Sequence, residues 1–354
     1  MGFAVAEDQE FALPPLEERP LVTFALFAYN QEKYIREAVE GAFAQTYEPL
    51  EIILSDDCST DRTFEIIESC ANHYEGPHSV KKLKNDINSG ILNHVLKVAK
   101  QSRGKYIIVA AGDDISLPER TSILVQILMQ SGAGAVSGSY IEIADDSSII
   151  GRKIYTLDDF RDPLKKFPWT RIQGATACYL KEILIEFPIP DQKVQLEDYA
   201  LSILLYKLGW HVGVTEKPLV KHRIHDTNTS LKNIVSKRQP SKAAELKRAQ
   251  FAGLVAATLQ YVLSTPALSD VKDSKDAKLQ RDLKSLAAYK AHFQNWINGN
   301  LINRLQILIS SFQWGETRGA LLRLLGLQFY LFLTENKLII KNSKKGHANK
   351  TGTT

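Results

Sequence analysis

Residues 50–63 read "LEIILSDDCSTDRT", and the fold turns on what this stretch is. "LEIILS" (50–55) is an apolar run of strand length. It ends on adjacent carboxylates, Asp56 and Asp57, and Asp61 follows four residues on. "DRTFEIIESCANHY" then has helical spacing, with Ser59 or Asp61 placed to cap it. Strand, acidic turn and helix make half of a βαβ unit, so the question is whether the pattern repeats.

It repeats on both sides. "LVTFALFAY" (21–29) is continuously apolar, as a strand covered on both faces must be. Asn30 is placed to cap "QEKYIREAVEGAFAQT", whose Tyr34, Ile35, Ala38, Val39, Ala42 and Phe43 recur at helical spacing. Downstream, "VKKLK" is a short strand, Ile91–Gln101 a helix and "KYIIVAA" (105–111) another buried strand. "LPERTSILVQILMQ" is a helix with Pro118 early in it, where a missing N–H costs nothing, and "GAVSGSYIEIA" is strand-like. This alternation predicts an α/β fold with a mainly parallel sheet flanked by helices. Such sheets bind ligands at the carboxyl ends of their strands. The candidate tips are therefore "AYN" (28–30), "SDDCS" (55–59) and "AGDDIS" (111–116).

Beyond Gly151 short strands and helices mix, and "HVGVTEKPLVKHRIH" reads as one or two strands ending in a His-rich loop. Helices are predicted over 242–265, 277–298, 300–313 and 317–334. The expected division is a lead-in (1–20), an α/β domain (21–235), a helical C-terminal region (240–340) and a disordered tail (341–354).

Composition narrows the class. Of 354 residues, 44% are hydrophobic and 24% charged, which suits a globular protein. Three scattered cysteines, Cys58, Cys70 and Cys178, argue against a disulfide framework and for a reducing compartment. The N-terminus lacks the basic and apolar regions of a signal peptide, and no apolar run reaches spanning length. A cytoplasmic protein is expected. Charge is uneven: from Pro240 onward there are 17 Lys/Arg and 7 Asp/Glu, against 27 and 33 before it. A mildly acidic body thus carries a basic C-terminal region. The apolar stretch 319–333 with Lys337, Lys341, Lys344 and Lys345 suits a buried packing helix, an oligomer contact, or a helix lying at the inner face of the membrane. Nucleic-acid binding lacks a fold motif to support it.

Four acidic or His-rich places carry candidate chemistry. "SDDCSTDRT" fails as a calcium loop, because Arg62 stands where the sharp turn needs Gly. Asp57 is left as a strand-end carboxylate able to accept hydrogen bonds from a ligand, or simply a solvated one. In "AGDDIS", Asp113 and Asp114 repel unless a cation sits beside them; Mg²⁺ or Mn²⁺ completed by phosphates suits oxygen ligands. Here a solvated turn that caps the next helix weighs about as much. In "LEDYALSILLYKLGW", Glu197 and Asp198 either satisfy a helix N-terminus or supply a general base. His222 and His225 fit no zinc spacing.

Taken in order, "FALFAYNQEKYIREAVEGAFAQTYEPLEIILSDDCSTDRT", "NDINSGI", "GKYIIVAAGDDISLPER", "QGATACYLKEIL", "LEDYALSILLYKLGW" and "KPLVKHRIHDTNTS" resemble the family 2 glycosyltransferases of the GT-A fold. The resemblance covers roughly residues 20–232. It implies transfer of one sugar, with inversion, from a nucleotide-diphosphate sugar, UDP- or dTDP-linked, to a hydroxyl of a saccharide or lipid-linked saccharide. Bacterial surface polysaccharide or glycoconjugate synthesis is the implied setting. Phe27, Ala28, Tyr29 and Asn30 would flank the base. Asp57 would accept its N–H with Asp56 in support, and Asn88, Gly90 and Asn93 would shape the donor-side loop. Asp113 would meet the ribose or a metal-bound water. Asp114, with His225, would hold Mn²⁺ or Mg²⁺. Asp198 would be the base, oriented by Glu197. Two departures stand out: Cys58 replaces a usual Gly, and Gly112 stands where a strict D-x-D has its first Asp. The Q-x-x-R-W signature of processive synthases is missing. The competing classes are a nucleotidyltransferase, which lacks its Gly- and basic-rich loop here, and a non-catalytic carbohydrate-binding scaffold.

Overall fold

A computed structural model of the chain describes residues 13–156, 172–191, 193–225, 242–266 and 274–294. The alternation is present: β1 (Val22–Ala28), α1 (Ile35–Phe43), β2 (Leu50–Asp56), α2 (Thr63–Asn72), β3 (Ser79–Lys84), α3 (Ile91–Gln101) and β4 (Tyr106–Ala111) follow in turn. Then come β5 (Ile115–Ser116), α4 (Arg120–Ser131), β6 (Ala135–Ile143), β7 (Ile149–Lys153), β8 (Ala177–Leu180), α5 (Lys181–Glu186), α6 (Glu197–Lys207) and β9 (Val212–Arg223). They build one nine-stranded sheet in the order β3-β2-β1-β4-β8-β6-β9-β5, with β7 on β6.

The sheet has two halves. From β3 to β4 it is parallel throughout. The chain moves outward from β1 through β2 to β3, then returns to the other side of β1 as β4. That reversal opens a crevice at the carboxyl ends of β1 and β4, where ligands of open α/β sheets bind. In the second half β8 runs antiparallel to β4 and β6, β9 parallel to β6, and β5 antiparallel to β9.

Every residue of β1 and β2 is buried, as two covered faces require. On one face Phe24, Leu26, Ile52, Leu54 and Ile108 pack with Ile35, Val39 and Ala42 of α1 and Leu124, Val125 and Leu128 of α4. Phe27 and Ser55 alternate to the other face and meet α3, through contacts with His94.

Two local expectations change. Asn30 does not cap α1, which begins at Ile35 after Tyr34. Residues 31–34 form a separate turn, with Tyr34 and Ile35 N–H both on the Gln31 carbonyl at 2.9 Å. Asn30 is left-handed (φ 52°). Its Oδ1 accepts from Thr60 N at 2.9 Å and its N–H donates to Ser59 Oγ at 2.9 Å, fastening the β1 tip to the β2 tip. Pro118 lies before α4 rather than in it, since Glu119 is the N-cap, and its carbonyl takes the Thr46 N–H at 3.0 Å.

The first compact unit comprises Met1–His225 with Ser264–Asp270, and the second Asp226–Leu263 with Val271–Thr354. Among its described residues the second holds 242–263 and 274–294, on α7 (Lys242–Ser264) and α8 (Ser274–Gln294). Gly253 of α7 lies against Gln294 of α8. The helices expected at 300–313 and 317–334, and the tail, fall outside the described residues. No helix among the described residues is long and apolar enough to cross a membrane.

Candidate active site

The β2 tip is built from hydrogen bonds to carboxylates. Asp56 ends the strand and folds back on its own turn, accepting from Ser59 N at 2.9 Å and from the Ser59 hydroxyl. Asp57 turns towards the loop after β3. Its Oδ1 accepts from Asn85 Nδ2 at 2.7 Å, Ser89 N at 2.9 Å and Ser89 Oγ at 3.0 Å; among the described residues its Oδ2 accepts only Gly90 N, at 2.9 Å. Burial alone would raise the Asp57 carboxyl, but these donors hold it below the usual carboxylate range. Between Asp57 and the loop, Cys58 adopts φ 65°, which suits the Gly that the resemblance places there.

Of the four residues at the end of β1 and just after it that were expected at the base, Phe27 and Ala28 are buried. Their carbonyls take Gly112 N and Asp57 N, each at 2.9 Å, and the Phe27 ring meets His94 edge-on at 5.0 Å. Tyr29 is 46% exposed, and Asn30 is exposed beside it. Asn88, Gly90 and Asn93 tie the loop after β3 to the segment ahead of α6. Asn88 Oδ1 accepts from Lys193 Nζ at 2.8 Å, Asn93 Nδ2 donates to the Pro190 carbonyl at 3.0 Å, and Gly90 (φ 81°) faces Lys193.

At the β4 tip the expected roles of the two aspartates separate. Asp114 is 3% exposed, and both its oxygens lie 3.0 Å from His222 Nδ1; Oδ1 also accepts Arg223 N at 2.8 Å. Burial pushes this carboxyl up against the pull of His222, while Asp114 raises the imidazole against its own burial. Asp113 is 13% exposed, and its Oδ2 lies 3.0 Å from His225 Nε2. The structure thus pairs His225 with Asp113, not with Asp114, because β9 runs beside β5 and sets His222 under the turn and His225 at its rim. Gly112 explains the missing first Asp. A Cβ there would strike the Gln31 side chain and come within 3.1 Å of Ala28 Cβ.

Asp198 reaches the same edge through β8. Ile108 of β4 pairs with Cys178, so the turn Gly174–Thr176 ahead of β8 continues towards the carboxyl end of β4. Gly174 packs directly on the Glu197 carboxylate, and a Cβ there would sit 3.6 Å from Asp198 Cβ. Asp198 is buried in the first turn of α6, its Oδ1 accepting from Tyr199 N at 2.8 Å.

Sequence reasoning missed Asn85 and Ser89, which clamp Asp57, and Arg223, which binds the Asp113 carbonyl at 3.1 Å. No local pattern marks them, although all three lie inside the segments that carry the family resemblance. Among the described residues no group of three or more His, Cys, Asp or Glu is arranged to hold a metal. Asp113 and His225 supply one oxygen and one nitrogen, which suits a cation that substrate phosphates and water complete.

The family model described as Glycosyl transferase family 2 matches residues 23–187. An uncharacterized glycosyltransferase of Haemophilus influenzae is 30% identical over 244 residues, 66% of this chain and 74% of that protein. TuaG of Bacillus subtilis, whose name carries teichuronic acid biosynthesis, is 24% identical over 60% of this chain and 82% of its own. Residues 1–349 of Staphylococcus aureus TarS in complex with UDP-GlcNAc superpose with a TM-score of 0.54 at 14% identity, covering 89% of this chain and 91% of that one. The mannosyltransferase PcManGT of Pyrobaculum calidifontis, in complex with GDP-Man and Mn²⁺, gives 0.53 at 16% identity, covering 95% and 90%. At such identities the structures attest the fold, a GT-A-like α/β arrangement. The matched segment runs from β1 to the end of α5 and so contains both aspartate tips, and the Haemophilus relative is matched over most of its length. On these grounds the chain is a glycosyltransferase and belongs to glycosyl transferase family 2.

Proposed function

We propose that the enzyme moves a single sugar, with inversion, from a nucleotide-diphosphate sugar to the hydroxyl of a saccharide or lipid-linked saccharide acceptor. The observation that carries this reading is the gathering of Asp57, Asp113 and Asp198 on one sheet edge, each from a different element. Asp57 accepts the base. Its Oδ1 already takes three donors and Oδ2 one, so a single further N–H is the natural partner. Uracil or thymine, with one N3–H, fits this better than guanine, which offers an N–H and an amino group together. TarS with UDP-GlcNAc supports that preference; PcManGT with GDP-Man shows that the fold also accepts the alternative. Tyr29 and Asn30 flank the base, with Phe27, Ala28 and Asp56 building the floor beneath. Asn88, Gly90 and Asn93 set the loop that covers it.

Asp113 and His225, rather than the expected Asp114 and His225, would hold a divalent cation, Mn²⁺ or Mg²⁺. What a cation would supply there is positive charge against the diphosphate, easing departure of the nucleotide diphosphate. Asp114 acts from below, as the buried acceptor that fixes His222 and the β9 backbone. Asp198 takes the proton from the acceptor hydroxyl as its oxygen bonds to the anomeric carbon and the bond to the diphosphate oxygen breaks. Glu197, wedged on Gly174, orients it. With Asp198 as base, Glu197 in support and no other carboxylate among the described residues assigned as nucleophile, the reading is one displacement, hence inversion. The name of TuaG supports a setting in polysaccharide synthesis.

A donor screen tests the reading. UDP-, dTDP- and GDP-sugars are offered with Mn²⁺, and nucleotide release and product anomer are followed. Release from a uridine or thymidine donor with inverted product is expected. A retained anomer would end the single-displacement mechanism, and preference for a GDP-sugar would end the assignment of Asp57 to one N–H.

A further inference from the structure

Arg223 stands out among the buried side chains. Its side chain is 1% exposed and carries a charge that cannot be shed, so its partners must be well placed. Among the described residues they come from three distant parts of the chain. Nε donates to the Asp113 carbonyl at 3.1 Å. Nη1 donates to the Asp145 carbonyl at 3.1 Å and to Ser147 Oγ at 2.9 Å, in the β6–β7 turn. Nη2 donates to Glu37 Oε2, on α1, at 2.8 Å. The guanidinium also lies over the Tyr34 ring, 4.8 Å from its centre. The His225 ring rests on that same Tyr34 at 5.0 Å with a 31° tilt. One planar group therefore touches the backbone of Asp113 and the aromatic surface that supports His225. Its own backbone N–H meanwhile fixes Asp114 at 2.8 Å.

We propose that Arg223, held in place by Glu37, is a positioning residue that sets the spacing of Asp113 and His225 for a divalent cation. The inference rests on the metal reading given above. A carboxylate and an imidazole on separate strands of chain keep their ligating geometry only if something fixes both. The Arg fork bonds to one and braces the other. A Lys keeps the charge but cannot span the Asp113 carbonyl, the β6–β7 turn and Glu37 together. Partners one step behind the ligands typically govern metal affinity by about 10–100-fold.

The test is Mn²⁺ binding to the whole chain in the presence of UDP, read by electron paramagnetic resonance and calorimetry, for wild type, Glu37→Gln and Arg223→Lys. Glu37 is partly exposed, so its variant keeps the fold and decides the case even where the Arg223 variant does not fold. Roughly 10-fold weaker Mn²⁺ binding is expected in Glu37→Gln, with turnover at saturating Mn²⁺ within about 2-fold of wild type. Unchanged Mn²⁺ affinity in Glu37→Gln, or turnover that excess Mn²⁺ does not restore, overturns the positioning role. Failure of the wild-type chain to bind Mn²⁺ at all overturns the metal reading beneath it, and is seen separately.

Discussion

Asp56–Asp57 and Asp113–Asp114 are the same dipeptide, set at the carboxyl ends of the two strands that flank β1, yet their surroundings differ. The first pair is met by neutral donors: backbone amides, Ser hydroxyls and an Asn amide. The second is met by imidazoles, one beneath it and one beside it. Amide donors stabilise an anion in place and define where one more N–H can enter. An imidazole beside a carboxylate is a ready metal-ligand pair. The lesson is that the partner decides the chemistry of an acidic strand end. The partners of the first pair lie within about thirty-five residues in sequence, and those of the second are more than a hundred away.

Several substitutions break the comparison in turn. The largest effect is expected at the proposed base. Asp198→Asn is expected to lose about 10³-fold in transfer rate while binding the nucleotide normally in calorimetry. Lost nucleotide binding in that variant would remove Asp198 from the role of base. Next come the two members of the second doublet, which should fail differently. Asp113→Ala is expected to abolish Mn²⁺ binding with little change in melting temperature. Asp114→Ala leaves the buried His222 and the Arg223 N–H without an acceptor, so a loss of about 3 kcal/mol in urea unfolding is expected. The converse pattern would restore Asp114 as the ligand.

The first doublet is sharpened by pH. Under it, burial lowers the His94 imidazole from 6.5 to about 4, so the folded state keeps His94 neutral where the unfolded chain takes a proton. Stability from this source is complete above pH 6.5 and is lost as pH falls towards 4. At the acid end the loss approaches about 3 kcal/mol. His94→Gln should flatten the dependence of urea stability on pH across that window, and an unchanged slope would contradict it. The smallest effect is at Gly112. Alanine there must displace Gln31 or the β1 tip, at a cost of about 1–3 kcal/mol in thermal unfolding.

Much of this architecture was legible in the chain. The apolar runs at β1, β2 and β4 are long enough, and uniform enough, to be nothing but strands covered on both faces. Their polar tips stood out as well, because a parallel sheet buried on both faces leaves only its ends for polar groups. Element boundaries slipped where a turn imitates a helix start, as at residues 31–34, or where a proline precedes its helix, as at Pro118. The antiparallel strands β5 and β8 are too short to stand out from their surroundings, at two and four residues.

The strand–helix alternation of the first half, its acidic turns and the family were legible in the sequence alone, because hydrophobic periodicity and short motifs are local properties. Which aspartate meets which histidine was decided only by tertiary structure. His222 and His225 are three residues apart and chemically alike. The register of β9 against β5 and β6 puts one under the turn and the other at its rim. Arg223, between them in the chain, gathers α1, the β4 tip and the β6–β7 turn, a convergence that no spacing along the chain records.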